Sequence, residues 1–207
     1  LTEHAIDGLV VIGGNGTFKG AIELSQKWKG KIIGLPGTID NDLYGTDSTI
    51  GYETAVYTAV ENIDKIRDTA ESHDRTFFVE VMGRHSGFIA LSVGVACGAE
   101  VVILPDEQHS LKTISDHLKA GQERGKSSGI VIVAEGCKLG NAEAVAKALE
   151  SDYGYPYRVV VLGHIQRGGA PIPYDRILAS KLGAFAVESL VKGAHLQLAG
   201  EINNQPT

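Results

Sequence analysis

The sequence predicts an α/β protein whose mainly parallel sheets are covered by helices on both faces. Three observations lead there. Short, β-branched, near-continuous apolar runs recur along the chain, at Gly8–Ile12, Lys31–Leu35, Phe77–Val81, Val101–Leu104, Ile130–Ala134 and Val159–Leu162. Strands buried on both faces read in this way, whereas half-exposed strands alternate. Longer amphipathic stretches lie between the runs, and strand–helix alternation with right-handed crossovers builds parallel sheets.

Taken in order, Gly8–Ile12 is a strand closed by Gly13-Gly14, and a helix is expected from near Phe18. Lys31–Leu35 is the second strand. Tyr52, Val56, Ala59, Val60, Ile63 and Ile66 recur largely at three- and four-residue steps while Glu61, Asp64 and Lys65 fall elsewhere, which predicts a helix from about Thr49 to Ser72. After the Phe77–Val81 strand, Ser86–Cys97 is apolar and glycine-rich and reads as a buried helix. Ser110 can cap a helix that runs to about Arg124, and Asn141 one over Ala142–Ser151, since both residue types accept from the first-turn N–H groups. Tyr174–Lys192 is the last long helix. The chain shows no internal repeat, low-complexity tract or flexible linker.

Composition narrows the class. Of the 207 residues, 43% are apolar and 21% charged, the balance of a globular rather than a disordered chain. No run approaches the roughly 18 apolar residues of a membrane helix, and no signal peptide is visible. Two cysteines build no disulfide framework, and Cys97 and Cys137 read as packing residues. A net charge of −6 argues against nucleic acid as the main partner, although local arginines can still bind phosphates. The chain opens on Leu1 rather than Met, so a fragment of a longer protein is expected.

Three blocks carry chemistry. Gly13-Gly14-Asn15-Gly16-Thr17 follows a strand and precedes a helix. Glycines there let backbone N–H groups approach an oxyanion, and the helix start adds a positive dipole end. The block has neither the Walker A ending nor the dinucleotide glycine spacing. It also reads as a tight turn without a ligand, and similar blocks occur in NAD kinases and diacylglycerol kinases, so it does not choose a substrate. Pro36–Asp42, Pro-Gly-Thr-Ile-Asp-Asn-Asp, puts Asp40 and Asp42 at the carboxyl end of a buried strand, where open α/β sheets bind ligands. One carboxylate can accept a hydroxyl proton and the other hold Mg²⁺, which takes one or two carboxylates plus phosphate oxygens; loop capping is the plainer reading. Arg84, His164 and Arg167 follow other strands, as phosphoryl transfer needs cations near the developing charge.

Together these blocks resemble ATP-dependent 6-phosphofructokinases of the bacterial type. The resemblance is carried by Val11–Thr17, Gly34–Asp42, Gly45–Gly51, Val79–Arg84, Leu162–Gly169 and Pro173–Ser180, in order and spacing. It implies transfer of the ATP γ-phosphoryl group to the 1-hydroxyl of fructose 6-phosphate, in the cytoplasm, with Mg²⁺ as cofactor. Asp40 is then the base, Arg84 a stabiliser of transferring charge, and Thr38 a contact of the phosphoryl group. Gly14, Asn15, Gly16, Thr17 and Gly20 line the ATP site, and Asp42, with Asn15, serves the metal. Met82, Gly83, Arg84, Glu135, His164 and Arg167 hold the sugar phosphate. Arg75 and Arg158 match arginines that reach it from a neighbouring subunit, which implies a homotetramer with shared active sites. Arg67, Glu100, Arg124 and Lys126 match an effector site for ADP or phosphoenolpyruvate.

The resemblance further implies two lobes, 1–51 with 166–207 for ATP and 52–165 for fructose 6-phosphate, with further family elements before Leu1 and after Thr207. Pyrophosphate-dependent members tend to carry Asp and Lys where this chain has Gly16 and Gly37, so ATP is the expected donor. Asn15 stands where the family usually has Asp, which predicts weaker Mg²⁺ binding or more dependence on Asp42 and the nucleotide phosphates. A pyrophosphate-dependent enzyme and a catalytically weak regulatory subunit are the alternatives.

Overall fold

A computed structural model describes residues 1–71, 75–126, 128–154 and 156–207. The chain divides into two compact units, Leu1–Glu53 with Pro171–Thr207, and Thr54–Ala170. The crossings fall two and five residues beyond the expected 51 and 165.

In the first unit, β1 (Gly8–Gly13), β2 (Lys31–Pro36) and β7 (Gln197–Leu198) form a parallel sheet in the order β1-β2-β7. The central strand β2 is buried from Ile32 to Pro36 because it is covered on both faces. Its side chains alternate, as strand geometry requires. Ile32 packs with Ala21 and Trp28 beneath α1 (Asn15–Ser25), while Ile33 and Leu35 pack with Leu178, Leu182 and Ala186 of α6 (Pro173–Val191). Pro173 opens α6 at a position where its missing N–H costs nothing. An antiparallel hairpin of β8 (Glu201–Ile202) and β9 (Gln205–Pro206) follows.

The second unit holds a four-stranded parallel sheet in the order β4-β5-β3-β6, made of β3 (Thr76–Val81), β4 (Val101–Ile103), β5 (Gly129–Ala134) and β6 (Tyr157–Val161). Every residue of β5 is buried. On one face Phe78, Val131 and Val133 pack with Ile114 and Leu118 of α4 (Leu111–Glu123) and Val145 and Leu149 of α5 (Ala142–Tyr153). Phe78 meets Tyr157 edge-on at 6.3 Å. On β4, α3 (Phe88–Ala96) lies so close that a Cβ at Gly94 would come 2.2 Å from Val102 Cγ2. Ser110 and Asn141 cap α4 and α5 as expected, accepting from Thr113 and Ala144 N–H.

Three expectations shift. Helix α1 begins at Asn15, not near Phe18, because Phe18 N–H already donates to Gly14 carbonyl. Helix α2 (Tyr52–Glu71) begins three residues late, since Gly51 has φ +103° and Thr49 is held elsewhere; the expected end at Ser72 lies outside the described residues. Strands β7 to β9 have no counterpart among the expected elements: two-residue strands have no period of their own and exist through pairing. Among the described residues no helix is long and apolar enough to cross a membrane.

Candidate functional site

In the first unit the cradle and the carboxylate turn sit side by side, because β1 and β2 are parallel neighbours with Gly13 opposite Pro36. Gly37 N–H continues the ladder to Gly13 carbonyl at 3.0 Å. Close packing here leaves no room for a side chain at Gly13 and little at Gly37, whereas one at Gly14 would meet Thr38 at an ordinary contact distance. A Cβ at Gly13 would fall 2.1 Å from Thr17 Oγ1, one at Gly37 2.8 Å from Ile12 Cγ2, and one at Gly14 3.4 Å from Thr38 Cβ. Asn15, Gly16 and Thr17 form the first turn of α1, ahead of its first intrahelical bond, so their N–H groups lie at the positive end of the helix dipole. Above Gly16 and Gly20 a Cβ would meet nothing within 4 Å, which leaves open space along this face.

Thr38, Asp40 and Asp42 lie on the irregular segment after β2. Asp40 is buried at 7% exposure and Asp42 is exposed. Asp40 N–H donates to Thr38 Oγ1 at 3.2 Å. Asn41, at φ +49°, turns the chain between the two carboxylates in a conformation that Asn tolerates better than most residues. Asn15 Nδ2 donates to Asp42 Oδ2 at 3.0 Å, which joins the cradle to the turn. The two residues expected at the metal are thus together, but the Asn15 amide N–H is directed at the carboxylate. One carboxylate and one amide suit Mg²⁺ completed by phosphate oxygens, since this ion seldom uses an all-protein cage. Among the described residues no group of three or more His, Cys, Asp and Glu could hold a metal.

The second unit carries its site residues at the carboxyl ends of β3, β5 and β6, and holds them by close backbone contact. Gly83 has φ +140°, where a Cβ would lie 2.6 Å from Ser86 carbonyl oxygen. Arg84 follows in the left-handed region at φ +52°, with its N–H donating to Glu135 Oε2 at 3.2 Å. A non-glycine residue held there is strained, and such strain collects at functional positions. Gly136 passes so near that its Cβ would fall 2.0 Å from Arg84 carbonyl oxygen. The buried Gln166 accepts from Met82 N–H at 3.3 Å and donates to Gly163 carbonyl at 3.0 Å. It thereby fixes the short 3₁₀ turn Gly163–Arg167, which presents His164 and Arg167 to solvent beside the β3 end. Asn41, Gly136 and Gln166 escape a reading of the sequence; the only signal is a polar or glycine residue inside each motif.

Arg75 and Arg158 do not join this group. Arg75 precedes β3 and Arg158 is the second residue of β6, so both stand at the amino ends of strands whose carboxyl ends carry the other residues. A six-residue strand separates such ends by about 17–20 Å. Of the expected effector residues, Glu100 accepts from Lys126 Nζ at 3.0 Å and from Ile130 N–H at 2.5 Å. Arg67 donates to Cys97 carbonyl, three residues before Glu100. Arg124, the exposed C-cap of α4, is brought to none of them by a hydrogen bond or ion pair among the described residues.

A family model described as Phosphofructokinase matches residues 1–190. ATP-dependent 6-phosphofructokinase 1 of Thermus thermophilus is 57% identical over 205 residues, covering 99% of this chain and 64% of that protein. ATP-dependent 6-phosphofructokinase of Brevibacillus brevis is 52% identical, with 99% and 63% covered. The chain therefore spans less than two thirds of the length of these relatives. Among solved structures, phosphofructokinase from Saccharomyces cerevisiae superposes with a TM-score of 0.92 at 33% identity, covering 99% of this chain and 31% of that one. Pyrophosphate-dependent phosphofructokinase from Marinobacter aquaeolei gives 0.84 at 26%, with 99% and 57% covered. On the strength of the matched family model and of these bacterial identities, the chain belongs to the phosphofructokinase family.

Proposed function

We propose that the protein transfers the γ-phosphoryl group of ATP to the 1-hydroxyl of fructose 6-phosphate, giving fructose 1,6-bisphosphate and ADP as a cytoplasmic step of glycolysis. The observation that carries this reading is the Asn15–Asp42 contact, which couples a helix-start phosphate cradle to a two-carboxylate turn. The N–H groups of Asn15, Gly16 and Thr17 bind phosphate oxygens of ATP, and the open face at Gly16 and Gly20 admits the nucleotide. Asp40 takes the proton of the attacking hydroxyl, and Thr38 contacts the transferring group. Asp42, its carboxylate oriented by Asn15, would hold Mg²⁺, which would supply neutralising charge at the phosphates. In the second unit, Met82, Gly83, Glu135, His164 and Arg167 bind the sugar phosphate, and the Arg84 guanidinium stabilises developing charge. ATP is favoured over pyrophosphate because Gly16 and Gly37 stand where pyrophosphate-dependent members tend to carry Asp and Lys.

We assign the 1–53 with 171–207 unit to ATP and the 54–170 unit to fructose 6-phosphate. The placement of Arg75 and Arg158 at strand amino ends, away from the other sugar-phosphate residues, supports their service to a neighbouring subunit's site; a homotetramer is what the family resemblance adds. Arg67, Glu100, Arg124 and Lys126 form the effector site of this reading. The Asp40→Asn variant tests it: turnover should fall about 10²–10⁴-fold, the usual cost of losing a general base. Calorimetric binding of fructose 6-phosphate should survive. Equal losses of binding and turnover would remove Asp40 from the role of base.

A further inference from the structure

The segment from Gly37 to Gly51 carries Thr38, Asp40 and Asp42 and has no regular structure beyond one bridge between Gly37 and Ile50. A base that must reach a hydroxyl within hydrogen-bond distance cannot ride on a loose loop. Side chains supply the order here. Asn41 reaches across the loop with both ends of its amide: Nδ2 donates to Asp47 carbonyl at 3.2 Å, and Oδ1 accepts from Thr49 N–H at 2.8 Å. Thr49, wholly buried, donates its hydroxyl to Thr38 carbonyl at 2.6 Å. Asp40 is therefore bracketed on both sides, by Thr38 held from Thr49 and by Asn41 held from Asp47 and Thr49.

The outer side of the loop is tied as well. Asp47 N–H donates to Glu201 carbonyl at 2.7 Å, Glu201 N–H donates to Thr46 Oγ1 at 3.0 Å, and Asn203 N–H donates to Asp47 Oδ2 at 2.7 Å. Asn203 and Asn204, at φ +51° and +62°, make the tight turn of the β8–β9 hairpin, a pairing that suits a type I′ turn. Lys181 of α6 anchors the hairpin through Glu201 Oε2 at 2.5 Å and Asn204 carbonyl at 2.9 Å, and Glu201 is 5% exposed.

We infer that Asn41 and Thr49 are positioning residues for Asp40, and that the β8–β9 hairpin, through Glu201 and Asp47, is the outer half of the same clamp. The inference rests on the kinase reading of this site. Small displacements of a reacting group cost orders of magnitude in rate while leaving binding of the rest of the substrate intact.

The test is steady-state kinetics with ATP and fructose 6-phosphate on the full-length protein and its Asn41→Ala, Thr49→Val, Thr49→Ser and Glu201→Gln variants, with melting temperatures measured in parallel. Asn41→Ala and Thr49→Val should lower kcat about tenfold to a hundredfold with the KM for ATP changed less than about threefold. Thr49→Ser keeps the hydroxyl and should recover most of that loss, and Glu201→Gln should give a smaller loss of the same kind. Should Asn41→Ala fail to fold, the Thr49 pair decides alone. A Thr49→Val protein with lowered melting temperature but wild-type kcat would reduce the clamp to a structural feature. A wild-type protein without ATP-dependent turnover would instead sink the kinase reading itself, and the positioning role with it.

Discussion

The carboxylate turn of the first unit and the arginine turn of the second are held mainly by different means. In the first, an irregular loop is fixed by side-chain hydrogen bonds, with Asn41, Thr49 and Asp47 doing what a ladder does elsewhere. In the second, backbone is jammed against backbone: Gly83 and Arg84 occupy positive-φ conformations and Gly136 leaves no space for a single methyl group. Hydrogen-bonded positioning is graded, because one bond can be removed and the loop still closes through others. Steric positioning is close to all-or-none, because a Cβ at 2.0 Å from a carbonyl oxygen forces the chain apart. On the proposed kinase reading, the carboxylate turn is accordingly the place where rate would be tuned, and the arginine turn the place where binding geometry would be locked.

The largest effect should come from attacking the steric side. Gly136→Ala should cost about 1–3 kcal/mol of stability through overpacking, with KM for fructose 6-phosphate rising more than kcat falls. Thermal melting and steady-state kinetics would check both. A Gly136→Ala variant of wild-type stability and KM would erase the contrast between the units.

Asn15→Asp sharpens the polar side. A second carboxylate placed where Asn15 Nδ2 lies 3.0 Å from Asp42 would repel it, raising the proton affinity of the pair. With Mg²⁺ and ATP present, the added charge should tighten apparent Mg²⁺ affinity about three- to tenfold, roughly the 1 kcal/mol that unit charges gain at 4 Å in water. Melting temperature with and without Mg²⁺ gives a readout independent of turnover: the variant should start lower and gain more. Unchanged Mg²⁺ dependence would contradict the account of Asp42.

The smallest effect concerns Glu53 at the start of α2, whose carboxyl is pushed above the ordinary carboxylate range by burial and then by the charge of Asp175. The folded state binds this proton more tightly than the unfolded state, so the group is without cost at low pH. It destabilises as pH rises from the ordinary carboxylate value through the raised one. Glu53→Gln should therefore raise the melting temperature more at neutral pH than at about pH 4. A pH-independent difference would remove the charge as the cause.

Much of this is legible in the chain. Strands β2, β3 and β5 are visible because burial demands unbroken apolar runs, β1, β4 and β6 carry similar runs although little of them is buried, and Ser110 and Asn141 mark their helices because caps must be acceptors. The glycines of the cradle and the spacing of Asp40 and Asp42 point to the site. Strands β7 to β9 are not legible, since a two-residue strand is defined by its partner. The clamp is hidden for the same reason. Nothing in Asp40-Asn41-Asp42 says that the middle residue is the one whose side chain closes the loop, nor that Glu201 lies on its far side. Gln166 reads as one polar residue of a polar motif, although its burial makes both ends of its amide obligatory partners.

The most direct test is a coupled assay of the full-length protein with fructose 6-phosphate, Mg²⁺ and either ATP or pyrophosphate. Turnover with ATP and none with pyrophosphate is the predicted result. Turnover with pyrophosphate would overturn the donor argument built on Gly16 and Gly37, and silence with both donors would contradict the proposed kinase.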